Sequence, residues 1–469
     1  MSKTLFDDFH EVSAKEWKQK IQYDLKGADY NKTLIWNSNE DIAVKPFYHA
    51  DDFNELPLAS GTRASQWDIC EPLFVQHAEK ANLKAQNALK RGAESVKFVI
   101  PSDAISVDAL LRNVSLEDIN LHFELQFLSP DFIKRLLEAR KRSTGSMALI
   151  PGFYFDTDII GHLASSGNWY TNIHEDFEQF SEIFKSIHSI TVNASVYQNA
   201  GATMVQQLAY CLAHANEYLN FIDSEHDFSK ITASKQPVNM MFKVAVGSNY
   251  FFEIAKLRAL KMLWRTLAKA YNITPDCHIF VTPTKRNKTL YDYNSNMLRT
   301  TTECMSAILG GANTICNMPY DAIFHRSNDF GERIARNQLL ILKHESFFKM
   351  VNNPCDGAYY IESLTQQLAT KALELFKDIE LHGGFLKQLK EGTIQRKIKE
   401  SAKKEQQNFN DGEDLLIGSN AYPNSNDKMK HELEIYPFVK VKPRKTLIEP
   451  IIEHRLSEKL EQERLKKES

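Results

Sequence analysis

Ile190-Thr191-Val192-Asn193-Ala194-Ser195-Val196, a helical run over 203–218, Met240-Met241-Phe242-Lys243-Val244-Ala245-Val246, a second helical run over 249–271 and His278-Ile279-Phe280-Val281-Thr282 decide the fold. Short apolar runs rich in β-branched residues and separated by long helices are not hairpins. They read as right-handed βαβ units feeding one parallel sheet. The alternation continues outward in both directions. Trp67–Cys70, Ser95–Ile100, Leu121–Leu125 and Met147–Ile150 are further strand candidates on the N-terminal side, and Thr314–Cys316 on the C-terminal side. Helical stretches at 74–92, 130–142, 293–309 and 331–350 accompany them. Eight strand candidates predict an α/β fold, a (β/α)8 TIM barrel, over an open doubly wound sheet. Neither Gly-x-Gly-x-x-Gly nor a P-loop is present, which argues against a nucleotide-binding open sheet.

Three regions follow, with 61–360 as the barrel. Residues 1–60 read as an arm. Ser13-Ala14-Lys15-Glu16 is a capping-box pattern, and Trp17, Ile21 and Leu25 form one apolar stripe on the helix it opens, with Gly27 as the stop. Two extended runs follow, Thr33–Trp36 and Ile42–Tyr48, with Asn37-Ser38-Asn39 as the turn between them. Such an arm needs a surface to bury against, and contact with a partner is the expected use. Residues 361–469 form a helical extension, basic from Lys387 to Lys404, with a polar loop over Asn408–Asn426. A last charged helix, Glu453–Lys467, is expected to be a solvated face.

Composition narrows the function classes. The 469 residues are 43% hydrophobic and 25% charged, with 57 Lys+Arg against 60 Asp+Glu. That balance suits a soluble globular protein and lacks the positive excess that nucleic acid requires. The six cysteines include no C-x-x-C pair, so reduced thiols in the cytoplasm are expected. The N-terminus carries acidic residues and no apolar h-region. No run reaches the ~18 apolar residues of a membrane span, so neither secretion nor a membrane is expected.

Spacing alone marks few chemical groups. H-E-x-x-H, G-x-S-x-G and metal-ligand spacings are missing, and no metal site is expected. Asp276-Cys277-His278 resembles the start of Asp-x-His-x-x-Gly, which supplies a cobalamin ligand in other proteins. Val281 stands where the glycine would be, so the segment reads as an ordinary strand start. On the helix Glu253–Trp264, Leu257, Leu260 and Trp264 share one face, and Lys256, Arg258 and Lys261 are expected in solvent. Phe330–Asn337 reads as a helix start whose Arg336 is either an interface anchor or a surface ion-pair partner.

Five ordered segments together resemble the methylmalonyl-CoA mutase family. They are Gln198-Asn199-Ala200-Gly201-Ala202-Thr203, similar to Q-E-A-G-A-T; Phe252–Ala259 with Met262-Leu263-Trp264; Leu298-Arg299-Thr300; Asp329–Asn337; and Asn353–Glu362, similar to D-P-x-G-G-S-Y-Y-V-E. The resemblance implies a CoA-binding TIM barrel, followed in catalytic chains by a flavodoxin-like cobalamin domain. It also implies adenosylcobalamin radical chemistry that interconverts succinyl-CoA and (R)-methylmalonyl-CoA.

The departures define the role that the resemblance implies. Catalytic chains read S-G-Y-H-M-Q-E-A-G-A; here Val196 stands at the position of the catalytic His, and valine cannot donate a hydrogen bond. The T-M-Y tyrosine has no counterpart near Thr62–Trp67, and Phe280–Lys285 replaces the polar H-S-Q-T-S-G strand end. Met241 stands where a small serine would leave room along the barrel axis. With Ser469 as the last residue, a cobalamin domain on this chain is not expected. The chain thus resembles the small, non-catalytic subunit of the heterodimeric enzyme. No catalytic, cofactor-binding or metal-binding residue is expected on it, and the adenosylcobalamin is expected on the catalytic large subunit, its partner. The alternative is the CoA-binding barrel of a split acyl-CoA mutase that receives its cobalamin domain from a separate chain.

Overall fold

The computed structural model describes residues 8–58, 60–145, 152–226, 238–440 and 443–468. Its main sheet has eight parallel strands: β1 (Asp68–Phe74), β2 (Ser95–Ile100), β3 (Asn120–Leu125), β4 (Phe153–Asp156), β5 (Ser189–Asn193), β6 (Asn239–Val246), β7 (Cys277–Pro283) and β8 (Thr314–Ile315). Their order, β4-β3-β2-β1-β8-β7-β6-β5, is consecutive around a circle, with Thr314 of β8 opposite Asp68 of β1. Among the described residues the seam between β4 and β5 lacks ladder pairing; there the Thr191 hydroxyl donates to the Phe155 carbonyl at 2.6 Å. This is the nearly closed (β/α)8 barrel.

Period-two alternation builds its wall. In β2, Val96, Phe98 and Ile100 point outward into a core shared with helices Ala78–Lys90 and Pro130–Thr144. In β6, Met240, Phe242, Val244 and Val246 do the same against helices Met204–His226 and Tyr250–Ala270. Lys97 and Met241, on the opposite parity, are left for the bore. The expected strand Met147–Ile150 lies outside the described residues, and β4 occupies that place in the order. The run Ile190–Val196 ends as a strand at Asn193. Its side-chain oxygen accepts from the Ser195 hydroxyl at 2.5 Å and from the Ser195 amide at 3.3 Å, bending the chain into a short helix, Ser195–Asn199.

The arm divides into two parts. Helix Ala14–Asp24 has its capping box at Ser13 and Glu16 and buries none of its residues. Residues Tyr30–Leu34 form a helical turn capped by Asp29, so only Trp36–Asn37 and Ala43–Val44 pair as a hairpin. That hairpin rides on its own barrel. Glu40 accepts from the amides of Met204 and Val205 at 2.8 and 2.9 Å, Ile42 is buried in the main core, and the Trp36 ring meets Phe252 at 5.8 Å.

The extension shares the barrel's core through Leu364, Leu368, Phe385 and Ile394. Its helices Tyr359–Leu381, Phe385–Lys390 and Thr393–Asp411 break at Gly383-Gly384 and Gly392, all with left-handed φ. Three expectations of solvent exposure do not hold, for one reason: buried carboxylates await the cations. Lys256 is enclosed and pairs with Glu253 at 2.6 Å, and Arg258 pairs with Glu362 at 2.6 Å and Asp356 at 3.2 Å. Arg336 is neither an interface anchor nor a surface partner, because it is buried against Glu71 at 2.9 Å. The last helix, Glu458–Lys467, sinks Glu461 beneath Arg455 and the amide of Leu290.

Candidate functional site at the barrel mouth

Parallel barrels place their working surface where the strands' C-terminal ends meet. A cavity of about 1050 Å³ opens there. Its floor is charged. The Lys243 ammonium of β6 donates to Glu124 of β3 at 2.8 Å and to Asp156 of β4, and Lys97 of β2 reaches Glu124 at 3.2 Å. These strands bury their outward parity in helices, so a charged residue of the other parity has only the bore to enter. Coulombic attraction of Lys243 holds the Glu124 carboxyl well below the usual carboxylate range, and the two carboxylates hold the Lys243 ammonium above its ordinary value against burial. Burial pushes the Asp156 carboxyl up.

Below this layer the bore is filled. Cys70, Met241, Phe280 and Cys316 form one buried cluster with Tyr154 packed against it. The space left beside Met241 and Phe280 is about 10 Å³, room for roughly one water. His122 stacks on Tyr154 at 4.7 Å with neither ring nitrogen hydrogen-bonded, and burial keeps it neutral. His278 lies on the inward side of β7, with Nε2 3.0 Å from the Thr314 hydroxyl and its ring 4.3 Å from Tyr154. Burial, then the nearby Lys261 ammonium, lowers its pKa to about 3. An imidazole enclosed in the barrel cannot reach a group lying over the mouth, so Asp276-Cys277-His278 does not fit a cobalamin ligand. Among the described residues no group of three or more His, Cys, Asp or Glu could hold a metal ion.

The rim is positioned by Asp158, just after β4. One oxygen accepts from His214 Nε2 at 2.9 Å, the Tyr218 hydroxyl at 2.7 Å and the Gly161 amide at 2.8 Å; the other accepts from the Asn193 amide at 2.7 Å. These bonds fix the end of β5 and the turn carrying Val196, which is 5% exposed and lines the cavity. An isopropyl group there offers the cavity neither a proton nor a lone pair. Across the mouth runs the segment 443–456, tied by Leu447 to Gly167, Ile451 to Ala164, His454 to Asn199 and Leu456 to Arg286 through backbone hydrogen bonds of 2.7–3.0 Å. Glu453 adds an ion pair to Lys285 at 2.7 Å. The site has buried, mutually neutralised charges, a filled axis and a covering strap.

Lys97, Glu124, Asp156 and Lys243 were not singled out by sequence motifs. A signal was present: a lysine inside an apolar run of an alternating βα pattern faces the bore. Met241 and Phe280 lie on the axis, whereas Asp276 opens onto the opposite end of the barrel.

Comparison with known proteins places this geometry. A family model described as methylmalonyl-CoA mutase matches residues 102–466. A methylmalonyl-CoA mutase small subunit from Porphyromonas gingivalis is 32% identical over 448 residues, covering 90% of this chain and 71% of that one. A small subunit from Propionibacterium freudenreichii subsp. shermanii is 27% identical over 82% of this chain, and a methylmalonyl-CoA mutase from Rhizobium meliloti 25% identical over 91%. The chain spans 64% and 66% of the lengths of those last two relatives. With a family model matched over most of its length and a relative above 30% identity, this chain belongs to the methylmalonyl-CoA mutase family.

Proposed function

We propose that the chain is the non-catalytic small subunit of an adenosylcobalamin-dependent methylmalonyl-CoA mutase. On this reading a large subunit binds the cobalamin and interconverts succinyl-CoA and (R)-methylmalonyl-CoA. The filled bore carries the proposal: Met241 and Phe280 occupy the axis, and Val196 stands at the rim where a hydrogen-bond donor would be needed. Relatives named as small and as large subunits come from one organism, Porphyromonas gingivalis, which supports a two-chain enzyme. The purified chain given adenosylcobalamin and methylmalonyl-CoA is expected to show no turnover, and activity should appear on adding the large subunit. Turnover proportional to the concentration of this chain alone would overturn the proposal. Activity rescued by a stand-alone cobalamin domain would favour the split-mutase alternative.

The arm is the proposed contact with that subunit, now confined to its first helix. Trp17 is 49% exposed, touching Phe47 edge-on at 6.5 Å, and Phe9, Val12 and Tyr23 are exposed nearby in sequence. Aromatic anchors of this kind typically lose about 2 kcal/mol of binding on truncation. Trp17→Ala should therefore weaken assembly about thirtyfold by titration calorimetry, while the thermal transition of the chain alone stays near wild type. Unchanged affinity would assign the contact elsewhere.

A further inference from the structure

Strands β1 and β8 close the barrel through a short ladder, Thr314 opposite Asp68 and Ile315 opposite Ile69. The next residue on each strand is a cysteine, and the register sets Cys316 beside Cys70. Ile69 and Ile315 turn outward into the core shared with the helices, so the period of two turns both thiols into the bore. There they share one buried cluster with Met241 and Phe280, each cysteine 3% exposed. The Cys316 amide donates to the Val281 carbonyl at 2.9 Å, which keeps that residue in line with β7. Neighbouring strands lie ~4.8 Å apart, inside the ~4.4–6.8 Å between Cα atoms that a disulfide spans. The two thiols differ in their surroundings. Cys316 lines the mouth cavity, as Lys97 does, whereas Cys70 borders a space of about 10 Å³ beside Glu71 and Arg336. Hydrogen bonding from Cys70, helped by the Lys97 charge, holds the Cys316 thiol below its ordinary value against burial, and burial pushes the Cys70 thiol up.

We infer that Cys70 and Cys316 form a peroxide-sensitive dithiol, oxidised reversibly to a disulfide that joins the first and last strands of the barrel. Hydrogen peroxide entering the mouth meets Cys316 first. The Cys316 thiolate attacks one peroxide oxygen and the O–O bond breaks. The departing hydroxide takes up the proton that the thiol released and leaves as water. The sulfenic acid so formed has Cys70 beside it as the resolving thiol. The Cys70 sulfur attacks the sulfenic sulfur, the S–O bond breaks, and the hydroxyl leaves as water with the Cys70 proton. Two thiols are oxidised and one peroxide is reduced to two waters. Side chains opposite one another on parallel strands start about as far apart as the strands. That is wider than the ~3.5–4.5 Å between Cβ atoms of a relaxed disulfide, so the bond is strained and readily reduced by small thiols. Closed, it ties the short β8 to β1 beneath the charged floor of the mouth. The inference stands apart from the proposed subunit role.

Treatment of the full native chain with hydrogen peroxide, then alkylation of the remaining thiols and peptide mapping without reductant, tests it. The expected product is a cross-link between the peptides carrying Cys70 and Cys316, lighter by two hydrogens, and dithiothreitol should return both thiols. Oxidation of the exposed Met350 to its sulfoxide marks a sufficient dose. In Cys70→Ser the sulfenic acid has no resolving thiol, so dimedone should label Cys316. In Cys316→Ser the oxidation of Cys70 should slow about tenfold or more, because a thiol with a raised pKa holds little thiolate. Mapping of the unmutated chain decides the pairing even if a variant fails to fold. Both thiols still open to alkylation at a dose that oxidises Met350, or Cys316 joined to Cys304 instead, overturns the inference. Oxidation of Cys70 at an unchanged rate in Cys316→Ser overturns it as well.

Discussion

Lys243→Met should destabilise the chain by about 3 kcal/mol at neutral pH, the low end for breaking a buried ion pair because the cavity above admits water. The substitution keeps an unbranched side chain one atom shorter and removes the cation that, among the described residues, touches both Glu124 and Asp156. Lys97 remains near Glu124, so Asp156 is the carboxylate left uncompensated. The pH dependence gives the stronger signature. In the native chain the Glu124 pKa is depressed below its ordinary 4.5, so its contribution is present above that value and fades as pH falls through the folded pKa. The Lys243 pKa is raised above its ordinary 10.5; its contribution is complete below that value and fades as pH rises through the folded pKa. In Lys243→Met, burial of Asp156 favours its protonated form, so the deficit should shrink as pH is lowered from 7 towards 5. Urea unfolding across that range measures it. A loss below about 1 kcal/mol that does not vary with pH would mean the cluster is solvated like a surface pair.

Asp158→Ala should cost at least about 4 kcal/mol, since buried donors left unpaired cost about 1–3 kcal/mol each and a lost helix cap about 1 kcal/mol. Four donors converge on this carboxylate, including the Gly161 amide in the first turn of helix Ile159–Ser166. The Asp158 pKa is held below its ordinary 3.8 because the His214 charge and these hydrogen bonds together outweigh burial. Its stabilisation is therefore present above that value and lost as pH falls through the folded one. Beyond the fall in melting temperature, faster hydrogen exchange is expected at Asn193, whose amide loses its partner, and through the turn 195–199. Asp158→Asn, which retains two acceptor lone pairs, should lose less. Equal losses in the two variants would show that the charge alone is responsible.

The wall of the barrel was legible in the residues themselves. Alternation within Ser95–Ile100 and Met240–Val246 gave strands within a residue of those observed, and the helical runs at 130–142 and 249–271 correspond to Pro130–Thr144 and Tyr250–Ala270. Such patterns are local, because each outward residue needs only an apolar helix face on that side of the sheet, and helices on either side of it in the chain supply one. The axial place of Met241 was also accessible, since the parity of β6 leaves it only the bore. Chain position could not decide which charges are buried. Lys256 and Arg258 carry a helical spacing that suits a solvated face. They are enclosed because Glu253 lies one turn away on the same helix, while Asp356 and Glu362 arrive from about a hundred residues later in the chain. The floor of the mouth is the same case: Lys97, Glu124, Asp156 and Lys243 sit on four strands, and only the curvature of the sheet brings them into contact. The sequence by itself determined the alternation and the parity of each strand, and it puts at position 196 a valine, whose side chain has no hydrogen-bond donor. The tertiary structure decided charge pairing and the arm's division between its own barrel and solvent, because a partner distant in the chain sets the cost of burying a charge and local pattern does not.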